Sequence, residues 1–133
     1  MTQPELHFIN PTGWPSPKGY ANGVLARGST LFVGGMVGWT PTGVFEAKDL
    51  PGQFGQALDN ILAVVREAGG QPSNIVRMTV YVTDLDAYRS SLKAIGAVWR
   101  ERLGKHFPAM ALVGVAGLVE REALIEIEAT AVL

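Results

Sequence analysis

Phe54, Ala57, Leu58, Ile61, Leu62 and Val65 recur at the i, i+3, i+4, i+7 spacing of an amphipathic helix. The spacing predicts a helix over about residues 51–68. Asp49 is placed to cap it, Pro51 suits its first turn, and Gly69-Gly70 ends it. Tyr88, Leu92, Ile95 and Trp99 repeat the helical spacing and predict a second helix, capped by Asp84 or Asp86 and stopped by Gly104. Between the two, residues 75–83 are β-branched and aromatic, which predicts a strand. Two strands are expected before the first helix, at 21–27 and 30–39, joined as a short hairpin at Gly28-Ser29. Two more are expected near 109–115 and 123–132, with Gly117 and Glu120-Arg121-Glu122 marking the turn. A further short strand at 6–9 is an option. Residues 10–20 carry Pro11, Gly13, Pro15, Pro17 and Gly19, a density of breakers that makes them coil. The expected fold is therefore α+β, ββαβαββ, a mixed sheet with two helices on one face, in a single domain over residues 1–133.

Two strands break the usual alternation. Leu31 to Val37 and Ala109 to Val115 are apolar on both faces, the pattern of a strand buried on both sides. Two helices cover one face only. Either the coil at 10–20 folds over the other, or a second copy of the chain does, and a homo-oligomer is the expectation. The last strand alternates strictly. Ile125, Ile127, Ala129 and Ala131 share one face and Glu126, Glu128 and Thr130 the other. If the apolar set meets the helices, both carboxylates point toward that subunit interface or toward solvent.

Composition narrows the function. The 133 residues carry a net charge of −1, which recommends neither nucleic acid nor an anionic membrane as partner. There is no cysteine, so disulfide and thiolate chemistry are excluded. The first five residues lack a basic n-region and an apolar run behind it, and no stretch approaches the roughly 20 apolar residues of a membrane span. A cytoplasmic protein is expected. His7 and His106 are the only histidines, so a zinc site would need distant carboxylates, and no metal or other cofactor is expected. Gly34-Gly35 lies within a strand and Gly69-Gly70 ends a helix, so neither is a phosphate loop. Gly34-Gly35 suits a close backbone approach or a bulge instead.

Four motifs remain: Lys18-Gly19-Tyr20, Gly34-Gly35, Phe107-Pro108-Ala109-Met110 and Ile125-Glu126-Ile127-Glu128-Ala129. Together they resemble the Rid (YjgF) family of reactive-intermediate deaminases, over about residues 20–132. The resemblance implies a chorismate mutase-like fold, a homotrimer with ligand pockets in the clefts between subunits, and hydrolysis of a C=N bond in a small imine or enamine with release of ammonia. It implies that Glu126 positions the attacking water and that Tyr20, Gly34, Gly35 and Met110 meet the substrate. A carboxylate suits that role as hydrogen-bond acceptor and general acid–base. Tyr20 alternatively serves as an interface aromatic.

The chain departs from the family pattern at several pocket positions. Gly34 replaces a frequent Ser, Met36 a Gln, Leu92 an Asn, and Met110 the Arg that grips the substrate carboxylate. Charge-assisted bonds of that kind contribute about 1.5–3 kcal/mol each. Met110 instead offers a soft surface suited to an apolar or conjugated ligand. The implied substrate is then not 2-aminoacrylate but a larger acid, such as one resembling 2-aminomuconate. Arg27 and Arg77 are candidate replacement cations, although such side chains ordinarily snorkel at the surface. Trp14 and Trp39 either shape the pocket or pack elsewhere. The rival readings are a module of this fold that binds a metabolite or acts as a chaperone, and an endoribonuclease, which the charge balance supports poorly.

Overall fold

The computed structural model describes residues 4–133. Residues 1–3, part of the segment read for targeting, lie outside the described residues. The elements are β1 (Glu5–Ile9), β2 (Gly23–Arg27), β3 (Thr30–Val37), α1 (Leu50–Glu67), β4 (Ile75–Val82), α2 (Leu85–Ser90), α3 (Leu92–Leu103), β5 (Ala109–Gly114) and β6 (Ile125–Val132). The architecture is α+β. Among the described residues no helix is long and apolar enough to cross a membrane.

Local chemistry sets α1 where its spacing predicts. The Asp49 carboxylate accepts a hydrogen bond from the Gly52 N–H at 2.9 Å, and Pro51 stands in the first turn. All six residues of its apolar stripe are buried. They pack on Ile125, Ile127, Ala129, Met78 and Val80, the helix-side face of the sheet.

The expected ββαβαββ order with two helices needs correction at two places. The segment after Asp84 forms two helices, not one. Asp84 caps α2 through the Ala87 N–H, but Ser91 leaves helical geometry and α3 starts afresh at Leu92. Ser90 turns its hydroxyl back to the Ala87 carbonyl, the local bonding by which serine competes with a continuous helix. The expected hairpin of the second and third strands does not form either. β2 pairs antiparallel with β1, and β3 belongs to a separate four-stranded sheet of order β3-β6-β4-β5. At Gly28-Ser29 the chain meets its own C-terminus: Ser29 and Leu133 exchange backbone hydrogen bonds of 2.7 and 2.8 Å. A Cβ on Gly28 would lie 2.6 Å from the Leu133 carbonyl oxygen, so the close approach requires glycine. The optional strand at 6–9 forms as β1, making the order βββαβααββ.

Within the larger sheet, β4 and β5 run parallel and the other pairs antiparallel. The helices cover one face. On the other, Phe32 and Val113 remain 79% and 42% exposed, so the coil at 10–20 does not cover them.

Candidate functional site

The site residues read from sequence fall on opposite faces of the larger sheet. Glu126 is paired across the sheet with Tyr81, and Tyr81 with Val113, all on the open face. Met110 is paired with the fully buried Met78, so it projects toward the helices.

On the open face, β3 carries a register irregularity between Val33 and Met36, at Gly34-Gly35. A Cβ on Gly35 would lie 2.6 Å from the Glu126 Oε2. Glycine therefore makes room for the carboxylate, as bulges beside functional sites commonly do. Beside Glu126, the Tyr81 hydroxyl donates to the Glu128 Oε1 at 2.6 Å. That bond, with the loss of solvation and the charges of Glu128 and Glu126, raises the Tyr81 phenol above its ordinary value of 10.0. Tyr81 so remains a donor, and it engages Glu128. The half-buried Glu126 side chain makes no hydrogen bond or ion pair among the described residues. Of the two carboxylates it is the one free to take a ligand. Arg77, Thr79 and Gly34 line an adjacent hollow of about 440 Å³ with Glu128.

On the helix side, a cavity of about 380 Å³ opens between α2, α3, β5 and the N-terminal coil. Met110 and Leu92 line it, as does Gly19, next to the partly exposed Tyr20. Its floor is rigid. Trp99 stacks between Phe54 and Phe107, with ring centroids 6.3 and 5.9 Å away, and its indole N–H donates to the His106 carbonyl. Tyr88 stands on the wall, its phenol raised by burial. Three cations, Lys18, Arg100 and Lys105, also line this cavity. The sequence reading missed Arg100 and Lys105, because the signal is convergence of separate elements and not a motif.

The other candidates lie elsewhere. Arg27 borders a small hollow on the β1–β2 sheet with Glu5 and His7. Trp39 packs on Phe45 and borders a shallow hollow with Met36 and Asn60. Trp14 is exposed on the coil. Among the described residues no three His, Cys, Asp or Glu side chains converge to hold a metal ion.

Comparison with known proteins gives these features a context. The family profile described as Endoribonuclease L-PSP matches residues 14–133. The 2-iminobutanoate/2-iminopropanoate deaminase of Escherichia coli K12 is 37% identical over 113 residues, covering 85% of this chain and 86% of that protein. The crystal structure of a conserved Rid-family protein, YyfB from Yersinia pestis, superposes with a TM-score of 0.85 at 34% identity, covering 96% of this chain and 98% of that one. Escherichia coli TdcF, solved with bound serine, superposes with a TM-score of 0.68 at 33% identity over 91% of each chain.

Proposed function

Since this chain belongs to the endoribonuclease L-PSP (Rid, YjgF-type) family, we propose that it is an imine or enamine deaminase of the Rid type, working as a homotrimer. The observation that carries this reading is Glu126: a half-buried carboxylate with no partner among the described residues, given space by Gly35. Glu126 holds a water against the imine carbon and takes its proton as the C–O bond forms. The proton passes to nitrogen. The carbinolamine hydroxyl then gives up its own proton, which also passes to nitrogen, and the C–N bond breaks as the C=O bond forms, leaving a carbonyl compound and ammonia. The related 2-iminobutanoate/2-iminopropanoate deaminase supports this chemistry.

The split of site residues across the sheet supports the assembly. One protomer cannot bring Glu126 to Met110, but the open face of one copy against the cavity edge of the next can. Tyr20, Leu92 and Met110 then come from one subunit, and Gly34, Gly35 and Glu126 from its neighbour. Met110 and Leu92 favour a substrate with an extended apolar or conjugated body, as in a 2-aminomuconate-like acid, over 2-aminoacrylate. The same two residues favour the second reading, a module that binds such a metabolite without turning it over.

Glu126→Gln separates the two. The deaminase reading expects ammonia release from a panel of freshly generated imines to fall about 10²–10⁴-fold, with the assembly mass unchanged. A wild-type protein inert toward the whole panel leaves the binding module standing instead.

A further inference from the structure

Every charged side chain lining the helix-side cavity is a cation: Lys18, Arg100 and Lys105. They arrive from three places, the N-terminal coil, the last turn of α3 and the turn after Gly104. All three residues are exposed, and none makes an ion pair among the described residues. That is unlike Arg102, two residues beyond Arg100, which pairs with Asp59 at 2.8 Å. Beneath them the cavity is apolar, with Met110, Leu92 and the Trp99–Phe107 stack.

We propose that Lys18, Arg100 and Lys105 form a cationic rim that captures the carboxylate of an elongated, apolar or conjugated acid, whose body lies on the Met110–Trp99 floor. This inference rests on the deaminase reading for the fate of the ligand, but not for its binding. Unpaired cations converging on a cavity that holds no acid raise the local potential for an anion. Arginine and lysine both bind carboxylates through charge-assisted hydrogen bonds. The aromatic floor and Met110 select what is attached to that carboxylate, since a polarizable thioether and a flat ring fit a planar chain better than a compact polar one. Anion recognition has thus moved from strand β5, where Met110 cannot supply it, out to the rim. A carboxylate held there leaves space beneath it for a chain that two- or three-carbon acids do not fill.

The probe is sorbate, a conjugated six-carbon carboxylate, compared with 2,4-hexadien-1-ol, which has the same skeleton without the charge, and with pyruvate, which has the charge without the skeleton. Binding is read by calorimetry and by quenching of Trp99, with Trp99→Phe identifying which of the three tryptophans reports. Sorbate is expected to bind at least about tenfold more tightly than either control. The triple variant Lys18→Gln, Arg100→Gln, Lys105→Gln is expected to lose about tenfold or more of that affinity and to leave the alcohol unaffected. Added salt is expected to weaken sorbate alone. Equal binding of sorbate and the alcohol, or undiminished sorbate binding by the triple variant, overturns the rim. Wild-type turnover keeps the two proposals apart: a rim-dependent sorbate complex in a wild-type protein that releases no ammonia from any imine sinks the deaminase and keeps the rim, whereas turnover that Glu126→Gln abolishes but the rim charges leave untouched does the reverse.

Discussion

Gly35 and Glu126 are a pair in which backbone and chemistry depend on each other. A methyl group on Gly35 would meet the far end of the flexible Glu126 side chain, not backbone. Gly35→Ala is therefore expected to unfold at nearly the wild-type denaturant concentration while ammonia release falls about tenfold or more, because small displacements of a positioned group are costly to turnover. Loss of stability in place of activity contradicts that assignment. Tyr81 offers a pH test. Its phenol is raised in the folded protein, so its contribution to stability is present in full below the unfolded value near 10.0 and is lost as pH climbs through the higher folded value. Urea midpoints of the wild type are expected to decline above pH 10, and those of Tyr81→Phe to decline less steeply. The shared face of Glu126 and Glu128 was legible in the alternation of the last strand. The Tyr81–Glu128 bond was not, because it joins residues 47 apart.

At the scale of elements, α1 and the end of β3 meet without a side chain between them. A Cβ on Gly38 would lie 2.7 Å from the Gln53 carbonyl oxygen and 2.8 Å from its Cα. The buried Gln53 amide in turn donates to the Ala47 and Glu122 carbonyls and accepts from the Leu124 N–H, tying the start of α1 to the entry of β6. Gly38→Ala pushes against helix backbone that cannot yield. It is expected to cost roughly 1–3 kcal/mol in urea unfolding, the usual range for overpacking. Periodicity located α1 well, since its stripe and its Asp49 cap are local features. It overran the break at Ser91, where the stripe continues across two helices. It also misjudged Gly28-Ser29, where a sound local signal for a hairpin loses to reciprocal hydrogen bonds with Leu133 at the far end of the chain.

For the whole molecule, the open sheet face is the largest unresolved demand of the fold. Phe32 and Val113 lie there beside Glu126, and an exposed apolar face of this kind marks an interaction surface. The proposed trimer covers it and brings Glu126 toward a neighbour's cavity. Phe32→Glu is expected to lower the solution mass to that of a 14.2 kDa protomer and to abolish ammonia release with it. A wild-type protein already of that mass, or a Phe32→Glu protomer that keeps full turnover, removes the shared site.

What this sequence determined by itself is the set of features that repeat along the chain. A helix turns every 3.6 residues and a strand alternates every two, so the buried stripe of α1, the apolar face of β6 and the opposite side kept for Glu126 and Glu128 are written in local order. The tertiary structure alone decided what no period encodes. The pairing of β2 with β1, the Gln53 tie and the gathering of Lys18, Arg100 and Lys105 around one cavity each join residues separated by long loops. Such contacts form only where packing of the whole chain outweighs the entropy of closing those loops, and no neighbouring residue announces them.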